Sequence, residues 1–314
     1  MSGWHHKDLL ALDELDTGEI TILLDTARAF MGLGQRTLKK VPALRGKTLV
    51  NFFVEPSTRT RLSFELAAMR LSADVVNVEA SVSSLQKGES LKDTARNLEA
   101  LHADIIVLRH SSPGSSRFLA ERIEASVINA GDGSHEHPTQ GLLDAFTIRE
   151  KLGCIEGLKV AIVGDILFSR VARSNIAALT KLGAEVTVVG PTTLVPEVFA
   201  KLGVRVAHRI DEVLESVDVI NLLRIQQERQ RREYFPGLGE YVALFGLTKA
   251  RAERLKPGCL VMHPGPINRG VEIDSDVADG HRSVILEQVS NGLAVRMAVL
   301  YHCAGGAGVP ASSS

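Results

Sequence analysis

The residues best equipped for chemistry stand together at Ser57-Thr58-Arg59-Thr60-Arg61. They follow an apolar run of strand length, Thr48 to Val54, and a strand-breaking Pro56. Ser57, Thr58 and Thr60 are the residue types that open helices. A strand ending in a hydroxyl-rich turn at a helix N-terminus aims free backbone N–H groups at one point. Such a point binds an anion, most readily a phosphate. Arg59 and Arg61 flank it, and a guanidinium grips phosphate oxygens as a fork. A lone Ser-Thr-Arg triplet is more often an ordinary junction with solvated arginines, so its company decides.

That company is spread along the chain. A polar loop, Glu79 to Glu89, carries Ser83 and Lys87. Arg109-His110 closes one strand-like run, and His135-Glu136-His137-Pro138-Thr139-Gln140 follows the tight turn Gly131 to Gly133. Gly164-Asp165 leads to Arg170, Leu222 to Arg229 carries Arg224 and Gln226, and His263-Pro264-Gly265-Pro266 comes last. His135-x-His137 raises a metal, but no further His/Cys set lies near and Pro138 disturbs the local geometry, so no metal is expected. Gly164 invites a dinucleotide, yet the second and third glycines of that fingerprint are missing. Neither metal nor cofactor is expected. Arg173 reads as a surface residue and His263 as a core histidine positioning its turn. The charged run Glu228 to Glu233 reads as a solvated segment or as a loop closing over substrate.

The elements that must position these groups follow from composition and pattern. A chain of 314 residues, 45% apolar and 23% charged, suits two globular domains. With 36 basic against 37 acidic residues there is no broad field to attract nucleic acid or membrane. Cys154, Cys259 and Cys303 form no CxxC and read as reduced thiols. No signal-peptide core opens the sequence and no apolar run reaches membrane-spanning length, so a cytoplasmic location is expected.

Asp16 or Thr17 caps a helix with the stripe Ile20, Leu23, Leu24, Ala27 and Phe30. Helical spacing from Leu62 puts Leu62, Leu66 and Met69 on one stripe, with Phe64, Ala67 and Ala68 beside it. Ser90 starts a third helix, with Asp93 as its capping partner and Leu91, Ala95, Leu98 and Leu101 along it. Strands are expected at Asp74–Val78, Asp104–Leu108, Val127–Asn129, Lys159–Val163, Glu185–Val189, Arg205–Ala207, Val219–Leu223, Val242–Leu244 and Leu260–Met262. The alternation implies an α/β fold of two Rossmann-like domains, each a mostly parallel sheet flanked by helices. The expected boundaries are 1–150 and 151–287, then a C-terminal helix, 288–303, carrying Val289, Leu293, Met297 and Leu300 and packing back on the first domain. A disordered tail, 304–314, is expected after it. Ligands of such sheets bind beyond the carboxyl ends of the strands, where Arg59, Arg109 and His137 fall.

In order and spacing, Ser-Thr-Arg-Thr-Arg, the Ser83/Lys87 loop, Leu-Arg-His-Ser (108–111), His-Pro-Thr-Gln (137–140), Gly164 to Arg170, Arg224-Ile225-Gln226 and His-Pro-Gly-Pro (263–266) resemble the aspartate/ornithine carbamoyltransferases, and within them the aspartate branch. The resemblance runs from about Leu9 to Cys303. The Ser-Met-Gly motif typical of ornithine enzymes is absent, and Gly265 stands where many relatives carry Leu. The resemblance implies transfer of the carbamoyl group of carbamoyl phosphate to L-aspartate, the committed step of pyrimidine (UMP) synthesis. It makes 1–150 the carbamoyl phosphate domain and 151–287 the aspartate domain. It places the phosphate on Ser57, Thr58, Arg59 and Thr60, and the carbonyl oxygen at Thr60, Arg109 and His137. Gln140 and the turn containing Gly265 and Pro266, through the carbonyls of Pro264 and Gly265, would hold the carbamoyl nitrogen. Lys87, Arg170, Arg224 and Gln226 would bind aspartate, with Ser83 and Lys87 reaching into a neighbouring subunit. Arg59, Thr60, Arg109 and His137 become the catalytic set. The implied assembly is a homotrimer or a multiple of trimers, with dihydroorotase or regulatory subunits as further partners. A carbamoyltransferase for another amino acid, or a silent scaffold on the same fold, is the alternative.

Overall fold

The structure, a computed structural model, describes residues 3–32, 39–79, 88–225 and 237–306. Its elements run α1 (Thr17–Met31), β1 (Thr48–Phe53), α2 (Thr58–Arg70), β2 (Asp74–Glu79), α3 (Leu91–Ala100), β3 (Ile105–His110), α4 (Ser115–Ala120), β4 (Ser126–Asp132), α5 (Pro138–Leu152) and β5 (Lys159–Val163). They continue with α6 (Arg170–Lys181), β6 (Glu185–Val189), β7 (Arg205–Ala207), β8 (Val219–Leu222), α7 (Leu238–Phe245), α8 (Lys249–Ala252), β9 (Leu260–Met262), α9 (Ser275–Ala278) and α10 (Ile285–Cys303). Two compact units result: Met1–Phe146 with Ser290–Ser314, and Thr147–Val289.

The first unit is built on a parallel sheet in the order β2-β1-β3-β4. Strands β1, β3 and β4 are buried almost end to end, as a sheet covered on both faces requires. Val50, Phe52, Ala95, Ile106, Leu108, Leu119 and Val127 share one core cluster. The strand order reverses between β1 and β3, and the crevice for a ligand opens at such a reversal. The second unit repeats the plan with the order β7-β6-β5-β8-β9, all parallel. Its reversal lies between β5 and β8, over a core containing Val163, Leu222, Tyr241, Phe245 and Val261.

Local chemistry fixes the helix starts. At α1 the cap is Asp16: its Oδ1 accepts from Glu19 N at 2.7 Å, and Glu19 Oε2 accepts from Asp16 N at 2.9 Å. Ser90 Oγ accepts from Asp93 N at 3.1 Å and donates to Asp93 Oδ2 at 2.6 Å, opening α3. From Ser290 onward α10 belongs with the first unit. There Ser126 Oγ donates to Cys303 O at 2.8 Å, and Thr26 Oγ1 meets His302 Nε2 at 2.8 Å.

Several expectations need correction. The stripe of Leu62, Leu66 and Met69 is exposed, at 46%, 46% and 42%. The helix instead buries Thr60, Phe64, Ala67 and Ala68, because two alanines let α2 sit close on the sheet where larger side chains would hold it off. Val242–Leu244 is not a strand but part of α7. Tyr241 and Phe245, one turn apart, are the residues that α7 buries, so the helical period outweighs a short apolar run. Helix α10 begins at Ile285, ahead of the expected Gln288, and Val289 on it is 57% exposed. Leu101, at the end of α3, is also exposed. Residues 307–314 of the expected tail, and the charged run 228–233, lie outside the described residues. Among the described residues no helix is long and apolar enough to cross a membrane.

Candidate active site

In the first unit the site grows out of the reversal between β1 and β3. The turn after β1 leads through Pro56 to Ser57, the N-cap of α2, whose hydroxyl makes no capping bond. Thr58 and Arg59 are exposed there, Ser57 is half-buried and Thr60 is buried. Phe53 of β1 pairs with Arg109 of β3, and the Arg109 carbonyl accepts from Val54 N at 2.8 Å and Glu55 N at 3.3 Å. The register therefore sets Arg109 beside the turn that carries Ser57 to Thr60. In its guanidinium Nη2 donates to Glu55 Oε1 at 2.7 Å and Nη1 to Ala130 O at 3.2 Å. Both side chains of this ion pair are mostly buried, which fixes the fork in one orientation.

The next strand brings in His137. His110 of β3 pairs with Asp132 of β4, and Asp132 N donates to Glu136 O at 3.1 Å. Asp132 is 1% exposed and ties this corner together. Its carboxylate accepts from Gly114 N at 2.7 Å, Asn129 Nδ2 at 2.9 Å and Glu136 N at 3.1 Å, with His135 Nδ1 at 3.1 Å. Burial opposes ionisation, but the bonds from His135, Asn129 and Gly114 outweigh it and hold Asp132 below the usual carboxylate range. Its hydrogen bond raises His135 above the ordinary imidazole value. His135 is thus absorbed by a carboxylate while His137, 3% exposed, opens α5 beside it. Burial lowers His110, whose Nδ1 accepts from Ser112 N at 2.9 Å. Gln140, one turn into α5, donates Nε2 to Asp144 Oδ1 at 3.0 Å.

The second unit has the same logic. Leu223 N donates to Val163 O at 2.8 Å, so the segments leaving β5 and β8 start side by side. Gly164, at φ +133°, makes the first of these turns; a Cβ there would meet Leu223 O at 3.0 Å and Tyr241 Oη at 3.2 Å. Ser169 then caps α6 by accepting from Ala172 N at 3.1 Å, which places Arg170, buried at 3%, in the first helical position. Arg224 follows β8, half-buried between the buried Leu223 and Ile225. Beyond β9, Gly265 and Pro266 are joined by a cis peptide bond. Gly265 N donates to His263 Nδ1 at 2.8 Å, while His263 N donates to Gln288 Oε1 at 3.0 Å. His263 is 1% exposed, a core histidine that shapes its turn.

Four positioning residues escaped the sequence reading. Glu55 stands directly before Pro56, and Asp132 lies between two glycines, but neither spacing announces its partners. Asp144 carried a usable signal, since it is four residues from Gln140 on one helix. Glu272 carried none. Its buried carboxylate accepts from Ile225 N at 2.9 Å, Asn268 N at 2.9 Å and Asn268 Nδ2 at 2.7 Å. Burial pushes that carboxyl up against those bonds. Ser83, Lys87 and Gln226 lie outside the described residues. Among the described residues no three His, Cys, Asp or Glu side chains are grouped to hold a metal.

Two family descriptions match the two halves: "Aspartate/ornithine carbamoyltransferase, carbamoyl-P binding domain" over residues 7–150, and "Aspartate/ornithine carbamoyltransferase, Asp/Orn binding domain" over residues 156–303. The chain belongs to the aspartate/ornithine carbamoyltransferase family. It is 61% identical over 303 residues to the aspartate carbamoyltransferase catalytic subunit of Opitutus terrae, covering 96% of each chain. It is 59% identical over 299 residues to that of Halothermothrix orenii, covering 95% of this chain and 96% of the relative. Among solved structures, Trypanosoma cruzi aspartate transcarbamoylase in complex with carbamoyl aspartate and phosphate superposes with a TM-score of 0.85 at 30% identity, covering 95% of this chain and 96% of that one. Ornithine carbamoyltransferase from Pyrococcus furiosus superposes with a TM-score of 0.83 at 34% identity, covering 96% and 97%. Backbone likeness alone therefore does not separate the two branches of the family.

Proposed function

We infer that the chain transfers the carbamoyl group of carbamoyl phosphate to the amino group of L-aspartate, giving N-carbamoyl-L-aspartate and phosphate, the committed step of pyrimidine synthesis. The observation that carries the choice of amino acid is the placement of Arg170 and Arg224 at one sheet edge, after β5 and β8. Two cations suit a substrate with two carboxylates and repel the extra ammonium of ornithine. Identities of 56–61% to aspartate carbamoyltransferase catalytic subunits support the same reading.

The deprotonated aspartate amine attacks the carbamoyl carbon; the C–N bond forms, the C–O bond to phosphate breaks, and phosphate leaves with the electron pair and takes up the surplus amine proton. In this proposal Ser57, Thr58, Arg59 and Thr60 bind the phosphate at the start of α2. Thr60, Arg109 and His137 stabilise the charge that grows on the carbonyl oxygen. Gln140 and the carbonyls of the turn at Gly265 and Pro266 take the carbamoyl nitrogen. Arg170 and Arg224, with Gln226 and Lys87, bind aspartate. No protein nucleophile is needed, and rate comes from orienting two anions and stabilising the transition state.

The assembly is proposed to be a homotrimer in the cytoplasm. The exposed apolar stripe of Leu62, Leu66 and Met69 supports self-association, and Ser83 and Lys87 would then serve the neighbouring subunit. Dihydroorotase or regulatory subunits are partners of the same proposal. The test incubates the protein with carbamoyl phosphate and a panel of amino acids while phosphate release is measured. Release with aspartate alone is expected. Release with ornithine but not aspartate would overturn the substrate, and none with any amine would leave a scaffold.

A further inference from the structure

Gln140 is about nine-tenths buried, and its side chain makes one hydrogen bond, through Nε2 to Asp144 Oδ1 at 3.0 Å. The other end of the amide, Oε1, bonds nothing among the described residues. A carboxylate has no hydrogen to donate, so it accepts only the nitrogen end of an amide. Asp144 therefore dictates which end of Gln140 is left for a ligand, and the end left is an acceptor. Asp144 itself is 0% exposed, and a buried carboxylate needs a cation nearby.

Arg296 of α10 is a cation that feels the charge of Asp144. It is 5% exposed, and its Nη1 donates to Ser63 Oγ at 3.0 Å and to Gly292 O at 3.0 Å. Its guanidinium carbon lies 5.3 Å from the centre of the Phe64 ring. Burial lowers Arg296 to about 10, a shift that the charge of Asp144 opposes, so it remains a cation at neutral pH. A Cβ at residue 292 would stand 2.6 Å from Nη1, so a glycine there makes the room. The C-terminal helix thus reaches α2, which follows the Ser-Thr-Arg turn, and α5, which carries Gln140.

We infer that Asp144, with Arg296 as its neighbouring charge, is the residue that makes the site read the carbamoyl NH2 group, by forcing Gln140 to present Oε1 to it. The inference rests on the carbamoyl phosphate reading of the first unit. Acetyl phosphate is the natural probe, because it replaces that NH2 with a methyl group and keeps the carbonyl and the phosphate. A site built around an acceptor rejects a ligand that lacks the donor.

Binding of carbamoyl phosphate, acetyl phosphate and inorganic phosphate is measured by calorimetry on the intact protein and on Asp144→Asn. An asparagine offers either end to Gln140, so the amide is free to turn. The intact protein should prefer carbamoyl over acetyl phosphate by about tenfold, the worth of one net hydrogen bond. Asp144→Asn should bring that preference close to unity, with inorganic phosphate affinity changed by less than about threefold. Equal weakening of all three ligands would mean a purely structural role, and an unchanged preference would mean that Gln140 is oriented otherwise; either overturns the inference. An intact protein that binds no carbamoyl phosphate overturns the function first. Should Asp144→Asn fail to fold, the intact protein still decides through the Gln140 side-chain NH2 resonances, assigned by their loss in Gln140→Leu. Slow solvent exchange that is indifferent to carbamoyl phosphate supports the inference; exchange slowed only by the ligand puts the nitrogen at the ligand and overturns it.

Discussion

Arg59 is exposed at the start of α2 whereas Arg109 is held by Glu55 and Ala130, and the two should respond differently to change. Arg59→Ala should lose about two to three powers of ten in turnover, by analogy with the loss of one preorganised donor. Its unfolding free energy should move by no more than about 0.5 kcal/mol, as at a surface position. Near-normal turnover, or a variant that unfolds, would contradict its place on the phosphate. His135 offers a pH test. The folded protein raises His135 from 6.5 and lowers Asp132 from 3.8. Stability from the raised histidine is fully present below 6.5 and is lost as pH rises through the raised value; stability from the lowered carboxyl is present above 3.8 and is lost as pH falls through the lowered one. The His135 side chain is 42% exposed, so screening keeps the effect small. His135→Asn should melt about 1 °C below the native protein at mildly acid pH and close to it at alkaline pH. A gap that stays constant from acid to alkaline pH would dissolve the pair. At this scale the chain was legible in its local structure, as in the strand–turn–helix junction with Ser57 at the start of α2. It was opaque where a lone carboxylate acts through the fold, as at Glu55 and Asp132.

Strands were read well where parallel strands covered on both faces form continuous apolar runs, as β9 does and β5 does after Lys159. Their order was not readable, and it is the order that sets Arg109 beside α2 and Arg224 beside the turn after β5. The helices misled in two places, Leu62–Met69 and Val242–Leu244. In each, a local apolar pattern competed with a packing choice made by the sheet. Glu272 shows the same limit, since its partners Ile225 and Asn268 come from different loops. Glu272→Ala leaves three N–H groups without their acceptor and frees the segment carrying Arg224. It should cost about 2–4 kcal/mol of stability and raise the aspartate requirement several-fold, with carbamoyl phosphate binding nearly unchanged. Steady-state kinetics beside equilibrium binding check this. Loss of carbamoyl phosphate binding would place Glu272 in the wrong half of the reaction.

The Ser57 to Arg61 turn lies in one unit and Arg170 and Arg224 lie in the other, and on the proposed function the two units divide the labour. The plan of two parallel-sheet α/β units was legible from the repeated strand–helix alternation. A contribution from a neighbouring subunit is part of the proposed function and came from the family resemblance, not from the pattern of the chain. If Lys87 serves the next subunit, mixing Lys87→Ala with Arg109→Ala chains and letting them reassort should restore about one native site in each mixed trimer. Reassorted trimers that stay inactive would return Lys87 to its own chain or remove it from the site. The most direct measurement of the whole reading follows the transferred atom. The protein is incubated with carbamoyl phosphate labelled with ¹³C and aspartate labelled with ¹⁵N, and the mixture is observed by nuclear magnetic resonance. The expected result is a ¹³C–¹⁵N coupled product accumulating one for one with phosphate, and no coupled product when ornithine replaces aspartate. Phosphate released without a bond from the labelled carbon to the aspartate nitrogen would contradict it.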